Sequence, residues 1–119
     1  MLRTVVKSKI HRATVTSARL DYEGSFSIDP ELMRLADIRP GEQVHVVNLS
    51  NGSRAVTYAS EGEPGEMGLN GAMAHLGGLG DRVIVITYAA YEDAELDRHV
   101  PRIVHVDDRN RALKEAMAL

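Results

Sequence analysis

The sequence predicts a small, mainly β protein that folds as a closed β-barrel with short helices. Short runs rich in β-branched residues recur along the chain, and turns containing glycine, asparagine or proline separate them. Few segments show helical periodicity. Residues 41–47 and 80–86 also resemble each other, because each segment pairs a glycine and an acidic residue with valines at alternate positions. A barrel built from two similar halves would explain this repeat.

Composition limits both the size and the class of the protein. The 119 residues fit one domain, 1–119, and a hydrophobic content of 44% is sufficient for a core. The net charge of −3 argues against a nucleic-acid-binding protein. The absence of cysteine excludes disulfides and thiolate metal sites. Neither a signal peptide nor a membrane span is predicted, so we expect a cytoplasmic protein without membrane contact.

The first part of the chain predicts two strands and a helix. Leu2 to Ile10 has the composition of a strand, and residues 13–16 form a second, shorter one. Gly24 follows, at a point where we expect a tight backbone. Asp29 has the side chain of an N-cap, and Pro30 suits the first helical position. The helix is expected to end before Arg39.

The second part of the chain contains the clearest secondary-structure signal, a hairpin. Asn51-Gly52 lies between two β-rich runs, and both residues tolerate the positive φ of a tight hairpin turn. The other predicted elements, in order, are one helical turn at 72–76, the most apolar strand at 82–88, a charged turn at 92–97, a strand at 103–106 and a tail of helical composition at 111–119.

Several polar residues are candidates for chemistry, although each has an ordinary explanation. Arg54 and Tyr58 lie four residues apart on one predicted strand and so share a face, where Arg suits a carboxylate. Taken alone, an exposed Arg beside a packed Tyr is the more common case. Lys9 and His11 share a strand face in the same way. The five histidines lack metal-type spacing, so no metal site is predicted.

Two glycine-containing segments complete the candidates. The turn at 70–72 offers backbone amides to an anion, or is an ordinary turn. Gly24-Ser25 is a dipeptide that the chain contains twice, since Gly52-Ser53 repeats it in the hairpin turn. The dipeptide alone therefore indicates no function, and only the residues around it can support one.

Taken together, these segments resemble the bacterial pyruvoyl-dependent aspartate 1-decarboxylases. The resemblance runs in order from Met1 to about Tyr91, and its motifs are Lys9-Ile10-His11-Arg12, Tyr22-Glu23-Gly24-Ser25, Asn51-Gly52-Ser53-Arg54, Thr57-Tyr58 and Asn70-Gly71-Ala72-Met73-Ala74-His75. It implies a six-stranded double-psi β-barrel, assembled as a homotetramer with active sites between neighbouring subunits.

The resemblance also implies that the chain cuts itself between Gly24 and Ser25. The Ser25 hydroxyl would attack the Gly24 carbonyl, with the Thr57 hydroxyl supporting the intermediate. The resulting ester would eliminate and hydrolyse, leaving a pyruvoyl group on residues 25–119 and a separate chain of residues 1–24. This covalent group would be the cofactor, with no metal and no pyridoxal phosphate. A maturation partner is compatible with this family.

For the mature site, the resemblance implies that L-aspartate forms a Schiff base with the pyruvoyl ketone and loses its α-carboxylate, giving β-alanine for pantothenate and coenzyme A synthesis. Tyr58 would donate the proton to the resulting carbanion. The remaining implied roles are carboxylate binding by Lys9 and Arg54, pocket formation by Thr57 and the backbone of Gly71, Ala72 and Met73, polar contacts from His11 and Asn70, and positioning of the scissile segment by Tyr22.

Two residues depart from the family pattern. Phe26 is bulkier than the small residue often found after the scissile serine, and we expect it to crowd the loop. Met73 replaces a small alanine, and we expect it to narrow the pocket. Two alternatives stay open: an uncleaved, catalytically silent barrel that binds a small acid or a protein, and a barrel module of the transcription-factor type.

Overall fold

The computed structural model describes residues 1–113, which form a mainly β structure with short helical segments. The strands are β1 (Leu2–Thr14), β2 (Ser17–Arg19), β3 (Ser25–Ile28), β4 (Gln43–Asn48), β5 (Arg54–Glu61), β6 (Met67–Asn70), β7 (Arg82–Glu92) and β8 (Arg102–His105). The helices are α1 (Pro30–Leu35), α2 (Asp93–Leu96) and a 3₁₀ helix at Gly71–Leu76. The predicted fold class, a small β-barrel with short helices, is confirmed.

The strands follow the order β2-β6-β3-β5-β4-β7-β1-β8. The described residues thus contain eight strands, whereas the resemblance implied six. The short strands β2 and β8 lie at the ends of the order and pair in parallel with β6 and β1. Strand β8 confirms the strand predicted at 103–106. Strand β2 was not predicted, because its three residues cannot establish an alternating pattern.

The two similar segments occupy equivalent places in the fold. Gly41 and Gly80 both have a φ of 88°, which glycine adopts without strain. The Gly41 amide donates to the Ala59 carbonyl at 2.8 Å, and the Ala59 amide donates to the Glu42 carbonyl at 2.9 Å. In the same way, the Gly80 amide donates to the Val15 carbonyl at 2.9 Å, and the Val15 amide donates to the Asp81 carbonyl at 2.8 Å. The strands that follow, β4 and β7, pair with each other. These matched turns support the predicted two-half organisation.

The core is aliphatic except for Phe26, the only phenylalanine of the chain, which is fully buried. Around it lie buried aliphatic residues from most strands and from α1: Ile10, Val15, Ile28, Leu32, Val44, Val46, Leu69, Val83 and Val85. Among residues 1–113, no helix has the length and apolar character required to cross a membrane.

The local predictions around α1 and the hairpin are confirmed. The Asp29 carboxylate accepts a hydrogen bond from the Leu32 amide at 3.0 Å, and Pro30 occupies the first turn. Gly52 turns the β4–β5 hairpin with a φ of 79°. Asp29 also accepts a 2.6 Å bond from the amide of Gly65, so the cap joins α1 to the loop before β6.

Other predictions were wrong in detail. Residues 13 and 14 continue β1 instead of beginning a new strand, because Arg12, with a φ of 68°, introduces an irregularity without ending the pairing with β7. The charged turn at 92–97 contains α2, whose start is stabilised by a capping box between Glu92 and Glu95. In the tail, Ala112 forms a β-bridge with Val106. Residues 114–119 of the predicted tail lie outside the described residues.

Candidate active site

Ser25 begins β3, which lies between β5 and β6. Ser25 pairs with Asn70 of β6, and Phe26 pairs with Ala59 of β5. Because side chains alternate along a strand, Phe26 enters the core and Ser25 shares the opposite face with Ser27. The prediction that Phe26 crowds the scissile loop is therefore wrong, since its side chain lies on the far side of β3 from the Ser25 hydroxyl.

The Ser25 hydroxyl is part of a closed ring of four polar side chains. Nδ2 of Asn70 donates to Oγ of Ser25 at 3.0 Å and to Oγ of Ser27 at 2.6 Å. Oγ of Ser60 lies 3.1 Å from Oγ of Ser25 and 3.2 Å from Oγ of Ser27. Ser25, Ser27 and Asn70 are buried, so the ring holds the Ser25 hydroxyl in a fixed, largely dehydrated position.

Ser25 lines a cavity of about 400 Å³ together with Tyr22 and Tyr58. Both tyrosines are about half exposed. Ser25 is buried in the floor, next to the ring partners Ser27 and Ser60. The structure thus brings the predicted nucleophile, the predicted proton donor and the predicted positioning tyrosine to one site.

The charge of this cavity is mainly negative. Four carboxylates contribute to the lining, those of Glu23, Glu61, Glu63 and Glu66, and Arg19 is its cationic residue. Arg19 lies 3.9 Å from Glu66 and also stacks on the ring of Tyr22, at 5.4 Å from its centroid. Such a lining alone repels a dicarboxylate.

Gly71 packs directly against the backbone of the scissile segment. Its φ is 64°, and a Cβ added there would lie 2.9 Å from Cα of Gly24, 2.9 Å from the carbonyl oxygen of Tyr22 and 3.0 Å from the Gly24 nitrogen. A Cβ on Gly24 would contact nothing within 4 Å. The close approach therefore depends on glycine at position 71.

Lys9 and Arg54 lie outside the lining of this cavity, on the outer face of β1, β7, β4 and β5. The register places Lys9, Ile86 and His45 in one row across neighbouring strands. Nη2 of Arg54 donates to Nδ1 of His45 at 3.2 Å and to the Tyr88 hydroxyl at 3.2 Å. Within residues 1–113, neither Lys9 nor Arg54 has an acidic partner within salt-bridge distance. We call this surface, formed by Lys9, His11, His45, Arg54 and Tyr88, the cationic face.

His11 extends the cationic face along β1. Its ring meets that of His105 edge-on, with 5.1 Å between the centroids. Burial, followed by the positive charges of His105, Lys9 and Arg12, lowers the pKa of His11 from 6.5. The neutral imidazole is therefore favoured, and it offers hydrogen bonding rather than charge to a ligand.

The remaining predicted residues lie around the cavity without lining it. Thr57 points to the side of β5 opposite Tyr58, as the burial alternation of that strand shows. Ala72 is exposed in the 3₁₀ helix. Met73 is buried among Val46 and Leu69 beside a small core void, so the prediction that its side chain narrows the Ser25 cavity is wrong.

Comparison of the sequence with known proteins identifies the family of the chain. A sequence model described as aspartate decarboxylase matches residues 1–113. The chain belongs to the aspartate decarboxylase family. It is 57% identical over 113 residues to aspartate 1-decarboxylase 1 of Gloeobacter violaceus, covering 93% of this chain and 96% of that protein. It is 55% identical to aspartate 1-decarboxylase 2 of the same organism, covering 93% and 90%. It is 50% identical over 119 residues to aspartate 1-decarboxylase of Syntrophobacter fumaroxidans, covering 98% and 96%.

In one protomer of this member of the aspartate decarboxylase family, the predicted site residues lie on two separate surfaces. Tyr22, Ser25 and Tyr58 line the cavity, with Asn70 and Gly71 directly behind it. Lys9, His11 and Arg54 belong to the cationic face. Ser27 and Ser60 were not predicted from the sequence. Their positions two residues from Ser25 and from Tyr58 were the available signal, because residues at that spacing share a strand face.

Proposed function

We propose that this chain is an aspartate 1-decarboxylase, which converts L-aspartate to β-alanine and CO₂ after cutting itself between Gly24 and Ser25. The observation that carries the proposal is that Ser25 and Tyr58 line the same cavity. The names of its relatives favour the same substrate. The β-alanine would supply pantothenate and coenzyme A synthesis. The cytoplasmic location predicted from the sequence stays a prediction.

Self-cleavage begins with attack of the Ser25 hydroxyl oxygen on the Gly24 carbonyl carbon. The bond from that carbon to the Ser25 nitrogen then breaks, and the peptide becomes an ester with a free amine. The support of the negative charge on the Gly24 oxygen by Thr57 stays a prediction, because the Thr57 side chain lies on the side of β5 opposite Tyr58. After the cut, residues 1–24 would stay bound, because β1 pairs with β7 and β8 and β2 pairs with β6.

The residues around Ser25 fit a pyruvoyl group at this position. Oδ1 of Asn70 is buried beside Ser25 and has no hydrogen-bond partner within residues 1–113. This oxygen can therefore accept a hydrogen bond from a group formed at the site. When bound in place of Ser25, the pyruvoyl ketone supplies an electron sink for the decarboxylation. Tyr58 would hold the proton that replaces the lost carboxylate on the α-carbon. The half-exposed Tyr58 lines the cavity together with Ser25, which suits that role.

The two carboxylates of aspartate need more positive charge than the cavity of one protomer provides, because its Arg19 is outnumbered by four carboxylates and lies 3.9 Å from Glu66. Lys9 and Arg54 are the proposed carboxylate ligands, with His11 as a polar contact, yet all three lie on the cationic face. The acidic lining of the cavity and the cationic face are complementary in charge. We therefore propose a homotetramer in which the cationic face of one subunit completes the cavity of its neighbour, with Gly71, Ala72 and Met73 contributing backbone groups.

Intact-mass measurement of the purified chain tests the proposal directly. Two fragments meeting at Gly24 and Ser25, together with β-alanine formation from aspartate, are expected. We expect Ser25→Ala to remain uncut and inactive. Tyr58→Phe should cleave normally and lose about 10²-fold or more of its turnover, the usual contribution of a positioned proton donor.

Other outcomes would favour the alternatives. A full-length, inactive wild-type chain would contradict the proposal and favour a silent barrel, unless a maturation partner restores cleavage when cell extract is added. Normal β-alanine production by Tyr58→Phe would remove Tyr58 from the proton-donor role. Salt-sensitive binding to DNA would favour the transcription-factor type of barrel instead.

A further inference from the structure

The ring of side chains around Ser25 assigns a direction to its hydroxyl hydrogen. Nδ2 of Asn70 donates to both Ser25 and Ser27, so both serine oxygens act as acceptors toward the amide. Each of these two serines can then donate its hydroxyl hydrogen to Oγ of Ser60, which lies 3.1 Å from Oγ of Ser25 and 3.2 Å from Oγ of Ser27. A hydroxyl oxygen has two lone pairs, so Ser60 can accept from both. Its own hydrogen is then free to point into the cavity that it lines.

No carboxylate reaches the nucleophile directly. Within residues 1–113, the side-chain partners of Oγ of Ser25 are Ser60 and Asn70, and the amide of Asn70 cannot take up a proton from it in this orientation. The Ser25 proton must nevertheless leave as the oxygen attacks. Ser60 is thus the side chain that can accept the Ser25 proton and release its own to the cavity, which both serines line.

We propose that Ser60 is a proton-relay residue for self-cleavage in this chain, an inference that rests on the proposed function. As Oγ of Ser25 bonds to the Gly24 carbonyl carbon, the Ser25 proton passes to Oγ of Ser60, and the Ser60 proton passes to water in the cavity. When the bond between that carbon and the Ser25 nitrogen breaks, the nitrogen takes one proton from water. The hydroxyl hydrogen lost is balanced by the amine hydrogen gained.

Ser27 gives a matched control for this role. It belongs to the same ring and shares both Asn70 and Ser60 with Ser25, but it does not contact the nucleophile. Removing the Ser27 hydroxyl disturbs the ring equally and leaves the contact between Ser25 and Ser60 in place. A relay role therefore predicts different results at positions 27 and 60, whereas a general packing role predicts similar ones.

The experiment follows cleavage of newly made full-length chains. Wild type and the variants Ser60→Ala, Ser60→Thr, Ser27→Ala and Ser53→Ala are synthesised in a translation system of purified components and quenched at intervals for intact-mass measurement. We expect Ser60→Ala to cleave at least about fivefold more slowly, the effect of losing one useful hydrogen bond. Ser60→Thr keeps the hydroxyl and suits a strand, so it should stay within about twofold of wild type. Ser27→Ala should be slowed less than Ser60→Ala, and Ser53→Ala, in the β4–β5 hairpin turn outside the cavity lining, should match wild type.

Each contrary result has a separate meaning. Wild-type cleavage with an equal rate in Ser60→Ala would overturn the relay and leave the proposed function intact. Equal slowing in Ser60→Ala and Ser27→Ala, or no rescue by Ser60→Thr, would also overturn it in favour of packing. A wild-type chain that stays full length even after cell extract is added would overturn the proposed function and the relay together.

Discussion

Replacing Gly71 by alanine should lower both the rate of self-cleavage and the stability of the fold. Gly71 has a φ of 64°, and placing alanine in the left-handed region costs about 1–2 kcal/mol. The new Cβ would also lie 2.9–3.0 Å from three backbone atoms of Tyr22 and Gly24. Backbone atoms cannot rotate away, so the segment before Ser25 has to shift. A displacement of about 1 Å at a reacting group can cost about 10²-fold in rate.

Gly52→Ala separates these two effects. Gly52 has a similar φ of 79°, but a Cβ there meets nothing within 4 Å, so this variant carries only the conformational cost. Urea unfolding should show comparable losses near 1–2 kcal/mol for both variants, with up to about 3 kcal/mol more for Gly71→Ala if the contact is not relieved. Intact-mass time courses should show normal cleavage for Gly52→Ala and slow cleavage for Gly71→Ala. Equal cleavage rates in the two variants would refute the positional role of Gly71.

Two further predictions concern the core and the histidine pair. Phe26→Ala should lower the free energy of unfolding by about 3–5 kcal/mol in urea titrations, because the fully buried ring leaves a cavity, while the exposed Val100→Ala should change it by less than about 0.5 kcal/mol. A small effect of Phe26→Ala would contradict its core position. Because the pKa of His11 is lowered below 6.5, the unfolded chain binds this proton more readily, so stability should fall as the pH drops below 6.5. Unfolding titrations from pH 7.5 to 5.5 should show a smaller fall in His11→Asn, and an unchanged fall would assign the effect to other groups.

Local sequence signals predicted those parts of the fold that depend on a few adjacent residues. The Asp29-Pro30 helix start and the Asn51-Gly52 turn were correct, because capping and positive φ are satisfied by the residues themselves. The break expected after Ile10 was wrong, since β1 continues by pairing with β7, which lies some seventy residues later in the chain. Strand ends depend on such distant partners and are poorly visible in a single stretch of sequence.

The residues of the site could be predicted from the sequence, but their relative positions could not. Alternation along one strand correctly placed Arg54 and Tyr58 on the same side of β5, but it could not show that only Tyr58 lines the Ser25 cavity. The contact between Ser60 and Ser25 depends on the parallel register of β3 and β5, which no local pattern records. Phe26 was expected in the loop because its neighbours suggested a loop. The structure instead begins β3 at Ser25, and this reverses the direction of its side chain.

The separation of the cationic face from the Ser25 cavity makes the oligomer testable by complementation. Ser25→Ala keeps the cationic face and loses the nucleophile, whereas Arg54→Ala does the reverse. If each site combines the two surfaces from different subunits, random co-assembly at equal amounts should give about one quarter of sites with both intact. Subunits purified alone should be inactive, whereas co-expressed subunits should recover about that fraction of wild-type activity. A mixture of Ser25→Ala with Tyr58→Phe is the matched control, because Tyr58 lines the same cavity as Ser25 in one protomer. No recovery of activity in this mixture would show that Tyr58 acts on its own chain, and recovery would show that it acts on a neighbouring subunit. Inactive co-assembled tetramers of Ser25→Ala and Arg54→Ala would show that Arg54 serves the cavity of its own subunit, and the charge complementarity between the two surfaces would then need another explanation.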